Sequence, residues 1–482
     1  MTAAAPARPA AGPIRLHPRA RRRETGLLIL VALVLAVGSV SLGATQRELA
    51  GQKLSWTPAD AGQLLIYLAA LAAAHVALVL AGRRADQVLL PTIGLLGGIS
   101  LLLMERLPQG LVTQSIAGRS FGLASIQLGW LVLAIAVITV VAIAVRSDAW
   151  LRRYKYTWAA AGIALLLLTF VLGNEVNGAL LTIDIGPFSG QPTELIKVVL
   201  VIFLAGYLSD FRPLLVSSSL RLGPLRLPPV PYLLPMLAMW AVALGIVVVQ
   251  RDLGAALLFF AVFLALVYIA TARASYVLIG LVLFVLGSLI AYQLFGTVRD
   301  RVDIWLDPFG DAAGKGYQVV QALYAFGRGG MIGTGLGAGL PMVAGRLPIP
   351  AIHTDFPFAA LGEELGLIGV VAILGLYLIV IERGLRVAAS AADDFRALLA
   401  AGLTLVVGVQ AFIIAAGNLK LIPLTGVTLP FISYGGSSLL ANGVVVGLLL
   451  ALSDRGVEPP PPPRSAGRRR PRFLGGTAGA RR

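Results

Sequence analysis

Apolar runs of about 20 residues with few or no charged side chains recur from position 26 to position 453 of this chain. An α-helix needs a run of that length to cross the hydrocarbon core of a bilayer. Hydrophobic residues make up 57% and charged residues 13% of the 482 residues, which excludes an ordinary soluble enzyme and a disordered chain. The sequence therefore predicts an all-α, polytopic bundle embedded in a membrane.

Twelve spans are predicted, and together they form one membrane domain over residues 25–453. A basic tail precedes this domain at residues 1–24, and a Pro- and Arg-rich tail follows it at residues 454–482. The predicted spans cover residues 26–45, 61–81, 87–105, 123–145, 157–173, 194–211, 231–249, 253–271, 275–295, 356–381, 395–416 and 434–452.

The positions of the basic residues predict the orientation of the bundle. If the N-terminus is cytoplasmic, the inside segments are the two tails and the connections near 82–86, 146–156, 212–230, 272–274 and 382–394. With Arg396 counted in the last of these, they hold 27 of the 39 Lys and Arg residues. Cationic residues gather on the cytoplasmic side of a membrane. Both termini are therefore predicted to be cytoplasmic, and the formal net charge of +16 does not require a nucleic-acid partner.

One long outer segment, about 296–355, separates the ninth and tenth predicted spans. Loops of this length inside a compact domain are usually functional or disordered, and its many glycines and aromatic residues favour a functional loop. Asp307 and Asp311 lie in its stretch LDPFGDAAGKGYQ (306–318). Either carboxylate could act as a general base toward a hydroxyl nucleophile, or both could simply form turns.

Ionisable residues at membrane depth are costly and need a reason. Glu194 and Lys197 share one helix face in GQPTELIK, so they form a structural ion pair or present a cation to a phosphate. In QRDLG, Arg251 and Asp252 form a charge pair at a turn or supply an Arg for a diphosphate.

Two further stretches carry candidate residues. HTDFPFAALGEELG (353–366) contains His353 and Asp355, and its glutamates Glu363 and Glu364 either serve the site or cap and pair at a span entrance. NLKLIPLTGVTLPFISYGGSS (418–438) breaks the helix at membrane depth, which is tolerated where backbone lines a cavity. Its candidate binding residues are Lys420 and Ser437, and its candidate structural residues are Gly435 and Gly436.

Metal and thiol chemistry have little support in the sequence. The chain has no cysteine, and its three histidines lie far apart, so thiolate nucleophiles and Cys-based metal sites are excluded. No dedicated metal cage is predicted.

Taken in this order, GQPTELIK, QRDLG, DAAGKGYQ with AFGRGG, HTDFPFAALGEELG and GVTLPFISYGGSS resemble the motifs of the SEDS family, the RodA/FtsW group of peptidoglycan polymerases. The motifs span about residues 190–440. The basic N-terminus and two additional early spans, beyond a ten-span core, are similar to the actinobacterial RodA-like branch. Three departures are Ala312 for the usual proline, Thr193 for serine and Arg251 for proline, and the GAxRW stretch of the family is replaced by NGALLTI (177–183).

The resemblance implies a function. Members of the family join lipid II, a disaccharide-pentapeptide on undecaprenyl diphosphate, into glycan strands on the outer face of the bacterial plasma membrane, for elongation or division. Their essential aspartate stands six residues before the Tyr of GxGYQ, which corresponds to Asp311, with Asp307 as second choice. Lys197, Arg251 and Lys420 are then candidates to stabilise the diphosphate, and a divalent cation such as Mg²⁺ could share that work.

The resemblance also implies a partner, and the sequence leaves two other functions open. The resemblance implies a class B penicillin-binding protein as partner, in the membrane and without nucleic acid. A lipid II flippase or transporter is the main alternative, because intramembrane charges and broken helices suit transport as well. A non-catalytic scaffold of the wall-synthesis machinery is the third.

Overall fold

The computed structural model describes residues 18–49, 61–116, 118–176, 179–185, 188–217, 220–222, 225–227, 252–339 and 347–454, with isolated residues between 234 and 250. Within these ranges eleven helices are long and apolar enough to cross a membrane. They correspond to eleven of the twelve predicted spans. The remaining prediction, 231–249, lies outside the described residues apart from those isolated positions.

Helices account for most of the described chain. The helices are α1 (Arg22–Leu49), α2 (Gly62–Leu80), α3 (Leu89–Arg106), α4 (Leu123–Ala144), α5 (Ala149–Arg153), α6 (Lys155–Leu172), α7 (Pro192–Ser217), α8 (Leu253–Thr271), α9 (Ala274–Leu294), α10 (Gly296–Leu306), α11 (Tyr317–Gly329), α12 (Pro357–Ala389), α13 (Asp394–Asn418) and α14 (Gly436–Ser453). All but the short helices α5, α10 and α11 are candidate membrane spans.

The bundle is held by close helix pairs. Helix α14 packs along α4, α12 along α13, and α7 contacts α6, α8 and α13. On α14, a side chain added at Gly443 would lie 3.2 Å from the Ala134 carbonyl, and one at Gly447 would lie 2.7 Å from Val141. Small residues at these positions let the two backbones approach, as membrane helix pairs commonly require.

The two N-terminal helices are joined to the rest at the end of the bundle that carries the chain termini, here called the tail side. Arg21 is 2% exposed and donates hydrogen bonds to the carbonyls of Arg83, Ala85 and Asp86. It also pairs with Glu24. Arg83 in turn donates to Asp454 at 2.9 Å. The predicted basic tail 1–24 therefore contributes buried residues and the first turn of α1.

The opposite end, here called the loop side, carries α10, α11 and the non-helical segment 419–435. The predicted outer loop 296–355 thus contains two helices. Helix α12 is broken at Gly366, whose φ of 65° and ψ of −168° are not helical. The amides of Leu367 and Ile368 donate to the carbonyls of Gly330 and Met331 at 2.9 and 3.1 Å. These bonds fasten the chain after α11 to the break.

The described residues include seven short strands that the sequence did not predict. They form small antiparallel sheets in the connections, outside the membrane helices. They are β1 (Gln114–Ile116), β2 (Arg119–Phe121), β3 (Asn174–Val176), β4 (Ala179–Ile185), β5 (Phe188–Gly190), β6 (Leu220–Leu222) and β7 (Leu225–Leu227), paired as β1-β2, β3-β4-β5 and β6-β7.

Candidate functional site

Asp311, the predicted general base, lies in the exposed turn between α10 and α11. Its Oδ2 accepts a hydrogen bond from the Lys315 amide at 3.0 Å, and its carbonyl oxygen accepts from the amides of Gly314 and Gly316. These bonds fix the turn while the carboxylate remains at the surface. The geometry accommodates both interpretations that the sequence leaves open, a turn-forming side chain and a base.

Asp307 forms a smaller turn of its own, with Oδ1 accepting from the Gly310 amide at 3.1 Å. The surroundings of the two aspartates differ. Residues that follow Asp311, among them Gly314 and Lys315, line an open depression of about 490 Å³. Asp300 holds the ammonium of Lys315 at 2.7 Å and raises the pKa of this lysine. Asp311, which accepts from the Lys315 amide, therefore adjoins a charged residue of this depression.

A second depression of about 220 Å³ adjoins the first and is called the cationic pocket. Its charged lining residues are Arg301, Lys315, Lys420 and Asp355. Lys315 lines both depressions, as do Ile304 and Gln318. Three cations and one carboxylate give this pocket an excess of positive charge at neutral pH, which suits an anionic ligand.

Lys420 is positioned by an unusual backbone. Its φ of 58° places it in the left-handed region, which a non-glycine residue rarely adopts. Trp305 on α10 donates from Nε1 to the Lys420 carbonyl at 3.1 Å, and Lys420 Nζ lies 3.4 Å from the Leu306 carbonyl. These contacts fasten the segment 419–435 to α10, and Lys420 lines the cationic pocket. Its binding role stays a prediction.

Arg301 was not singled out from the sequence. It lies on α10, its Nη1 donates to the Thr425 carbonyl at 3.0 Å, and burial lowers its pKa. The one available signal was its position, because Arg301 is among the few basic residues of a predicted outer segment in a chain whose Lys and Arg otherwise gather on the other side. That signal does not distinguish Arg301 from Arg299.

Two carboxylates lie near Arg301, and burial raises the pKa of each. The pKa of Asp355 is raised to about 6, against the opposing effect of Arg301. Burial also raises the pKa of Asp252. Its carboxylate accepts a hydrogen bond from the Ala255 amide at 3.0 Å and so caps α8. The predicted neighbour of Asp252, Arg251, lies outside the described residues.

Glu194 and Lys197 form an ion pair in the first turns of α7, with Lys197 Nζ 2.5 Å from Glu194 Oε2. The same ammonium donates to Gln410 at 2.8 Å and to Asn442 at 3.2 Å. With three acceptors, all three N–H bonds of the buried lysine are used. This geometry favours the structural interpretation of the pair.

Gln410 and Asn442 extend the Lys197 ion pair into a closed polar ring. Gln410 donates to the Thr428 carbonyl at 2.9 Å, and Asn442 donates to Ser438, which lies 2.6 Å from the Thr428 hydroxyl. No motif in the sequence pointed to either amide. Ser437, the predicted binding serine, lies beside this ring in the first turn of α14.

Glu363 and Glu364 both pair with arginines. Glu363 Oε1 accepts from Arg328 Nε at 3.0 Å. Glu364 forms a buried ion pair with Arg106 and accepts from the Gly337 amide at 3.1 Å. These contacts join α3, α11 and α12 and agree with the expectation that the glutamates cap and pair.

The remaining predicted residues hold α14 against the loop side. The His353 carbonyl accepts from the Tyr434 amide at 2.8 Å, and burial lowers the pKa of the His353 ring. A side chain added at Gly436 would lie 2.4 Å from Trp130. Gly435, just before α14, has an extended φ of 164°. These contacts fit the structural roles predicted for His353, Gly435 and Gly436.

The described residues offer no ready-made cage for a metal ion. In that part of the chain no group of three or more His, Asp or Glu side chains comes together to hold a metal ion. A divalent cation at this site would therefore need oxygen ligands from a bound anion such as a diphosphate.

The fold and the site define a polytopic helical membrane protein that combines an exposed loop aspartate with a pocket of three cations. The chain belongs to the FtsW/RodA/SpoVE family: the model of this family, described as a cell cycle protein, matches residues 86–456. The resemblance recognised in the motifs is thus confirmed. Helices α1 and α2 precede the match, as expected for two additional N-terminal spans.

Curated relatives are similar over most of the chain. Peptidoglycan glycosyltransferase RodA of Mycobacterium tuberculosis is 40% identical over 450 residues, which cover 93% of this chain and 94% of the relative. The probable peptidoglycan glycosyltransferase FtsW of Geobacter metallireducens is 37% identical over 309 residues, which cover 63% and 78%.

Solved structures share the fold. One of them is reported under the description "Structural coordination of polymerization and crosslinking by a peptidoglycan synthase complex". It is 28% identical to this chain with a TM-score of 0.59, and the match covers 77% of this chain and 98% of the other. An alanine variant of the rod-shape-determining protein RodA of Thermus thermophilus is 25% identical with a TM-score of 0.52, over 77% and 97%.

Proposed function

We propose that this chain is a peptidoglycan glycosyltransferase that joins lipid II molecules into glycan strands by inverting glycosyl transfer. The observation that carries the proposal is the exposed carboxylate of Asp311 beside a pocket of three cations, in a member of this family. A base and a site for an anionic leaving group are the two parts that such a transfer needs.

In the proposed reaction Asp311 accepts the proton of the 4-hydroxyl of the acceptor GlcNAc. The hydroxyl oxygen forms a bond to C1 of the donor MurNAc, and the bond from C1 to the diphosphate breaks with inversion. Undecaprenyl diphosphate leaves with the electron pair, and the proton on Asp311 returns to solvent. Asp307, whose side chain closes its own turn, is the second candidate for the base.

The cationic pocket is proposed to stabilise the negative charge that develops on the diphosphate. Its Lys315 and Lys420 are more available than the buried Lys197, whose three N–H bonds are used within the bundle. A divalent cation could share this work by binding to the diphosphate oxygens. No step of the proposal depends on it.

Orientation and partnership complete the proposal. The distribution of Lys and Arg supports cytoplasmic termini and hence an outward-facing loop side. A class B penicillin-binding protein is the proposed partner, and the structurally similar peptidoglycan synthase complex, in which polymerization and crosslinking are coordinated, supports this choice.

The proposal is tested by polymerisation of purified lipid II with the full-length chain and its cognate transpeptidase. We expect glycan strands from the wild type and from Asp307→Ala. From a folded Asp311→Ala variant we expect a rate lower by roughly 10²- to 10⁴-fold. Circular dichroism and partner binding verify that both variants fold.

Other outcomes would point elsewhere. Equal polymerisation rates from wild type and Asp311→Ala would exclude Asp311 as the base. Loss of polymerisation in Asp307→Ala alone would assign the base to Asp307. Transfer of lipid II across vesicles without glycan formation would indicate the transporter. Partner binding with neither activity would indicate the scaffold.

A further inference from the structure

An apolar groove of about 790 Å³ runs between α8 and α9. Leu257, Phe260 and Leu264 line it from α8, and Ile279, Leu283 and Phe284 line it from α9. Leu237, Leu244 and Val248, isolated described positions in the segment before α8, also line the groove. Among the described residues of α9, only Tyr276 and Gly280 are buried. The walls of the groove are almost entirely apolar, and such walls suit a hydrocarbon chain.

The loop-side end of the groove is closed by α10 and by residues 422–425. Among the described residues that line the groove, Arg301 is the only one with a charge. Arg301 also lines the cationic pocket, as do Ile422 and Leu424. The two cavities thus meet at one guanidinium, with apolar walls on one side and Lys315 and Lys420 on the other.

The charge of Arg301 is only partly compensated by protein groups. Its one hydrogen bond within the described chain goes to the neutral Thr425 carbonyl, and it forms no ion pair with the described carboxylates. Asp252 and Asp355 act on it from farther away. Lys197, in contrast, contacts Glu194 directly. A half-buried guanidinium with unused donors favours a bound phosphate, whose oxygens it can hold in pairs.

We infer that Arg301 holds the diphosphate of a polyprenyl-linked substrate, with the polyprenyl chain in the apolar groove and the sugar side toward the cationic pocket. The inference rests on the proposed function for the identity of the substrate. An amphiphile with an apolar chain and an anionic head matches the order of the apolar groove, Arg301 and the cationic pocket. The residue is a binding residue, distinct from the base.

Binding is measured on the purified full-length chain in nanodiscs, with undecaprenyl diphosphate as ligand. We expect Arg301→Gln to weaken binding by roughly 10- to 100-fold, as for loss of a hydrogen-bonded charge pair, and Arg301→Lys to weaken it less. Arg299→Gln is the matched control. Arg299 is an exposed arginine on the same helix that contacts the carbonyls of Tyr292 and Gln293, and its loss should leave binding unchanged.

A second variant tests the groove without changing the charge. Ser288 lines the groove from the exposed side of α9, so Ser288→Trp fills the groove while the helix can still fold. It should weaken binding of undecaprenyl diphosphate and leave binding of inorganic diphosphate intact. This comparison keeps the inference testable even if Arg301→Gln does not fold.

Lipid controls identify the source of the anion. Undecaprenol and phosphatidylglycerol should compete at least 10-fold more weakly than undecaprenyl diphosphate. Equal competition by phosphatidylglycerol would overturn the inference in favour of a general phospholipid site. Unchanged binding in folded Arg301→Gln would overturn it as well.

The inference and the proposed function can fail separately. Asp311→Asn should abolish polymerisation and retain undecaprenyl diphosphate binding. If the wild type binds through Arg301 but forms no glycan, the proposed function falls and the binding site stands. If the wild type polymerises and folded Arg301→Gln has an unchanged KM for lipid II, the binding site falls alone.

Discussion

Arg106, the last residue of α3, and Glu364, in the first turns of α12, form an ion pair whose side chains are 3% and 2% exposed. The same glutamate accepts a hydrogen bond from the Gly337 amide at 3.1 Å. One carboxylate therefore joins a span near the N-terminus, the chain after α11 and the entrance to α12. These elements frame the loop side of the bundle.

Removing one partner of this pair should destabilise the protein strongly. Arg106→Met leaves a buried carboxylate without its cation, at an expected cost of about 3–5 kcal/mol. The double variant Arg106→Met with Glu364→Gln should lose clearly less free energy of unfolding than the two single variants lose in sum. Urea unfolding in detergent micelles measures both, and additive losses would show that the pair is not coupled.

Gly366→Ala should destabilise the break in α12. The added Cβ would lie 2.3 Å from the Gly333 amide nitrogen, and φ is 65°, which alanine rarely adopts. We expect a loss of about 3 kcal/mol or more. Gly375→Ala on the same helix meets nothing within 4 Å and should change stability by less than about 1 kcal/mol. Similar thermal midpoints for the two variants would contradict this account.

The polar ring around Lys197 predicts a structural phenotype. Lys197→Met leaves Glu194 unpaired in the bundle and should cost about 3–5 kcal/mol. Adding Glu194→Gln should recover part of that loss. Undecaprenyl diphosphate should bind the folded double variant as it binds the wild type. A fully stable Lys197→Met chain with weakened binding would instead assign the lysine to the diphosphate.

The raised pKa of Asp355 predicts a pH-dependent stability. Because burial raises this pKa to about 6, the folded chain binds the proton more tightly than the unfolded chain does. The stability that comes from the protonated carboxyl is present in acid and is lost as the pH rises through about 6. The free energy of unfolding of Asp355→Asn should therefore equal that of the wild type near pH 4 and exceed it at pH 8.

The expected gain at pH 8 is about 1–3 kcal/mol. The difference in stability between the wild type and Asp355→Asn is followed by measuring the melting temperature of each from pH 4.5 to 8. Asp303→Asn, which removes an exposed carboxylate on the neighbouring α10, is the control for the loss of one negative charge. A constant difference across this range would contradict the assignment to Asp355.

Much of the fold could be predicted because membrane spans are local in sequence. Continuous apolar runs predicted eleven spans that the described structure contains, and Gly and Pro predicted the non-helical segment 419–435. The break at Gly366 was not predicted, because it lies inside the single predicted span 356–381. The helical content of 296–355 was missed, since α11 is amphipathic and lies between glycine-rich turns. The small sheets were missed because six of the seven described strands have only three residues, and such short strands carry almost no periodicity.

The candidate site was predictable to the extent that it follows motifs. Asp311 and Lys420 lie in short stretches with recognisable patterns, and both line or border the loop-side depressions. Gln410 and Asn442 reach Lys197 only because three helices pack together. Arg301 becomes distinctive only through the two cavities that it separates. Such properties depend on tertiary contacts between distant residues, and no local pattern encodes them.

The hydrogen bond between Arg83 and Asp454 joins residues 371 positions apart. During synthesis the second and third helices enter the membrane long before Asp454 leaves the ribosome. Asp454, just after α14, is therefore the last group to join this network, in which Arg83 also donates to the carbonyls of Ile143 and Val145. The tail side is thus closed only when α14 is in place, and a chain shortened before Asp454 should leave the Arg83 guanidinium without its carboxylate partner.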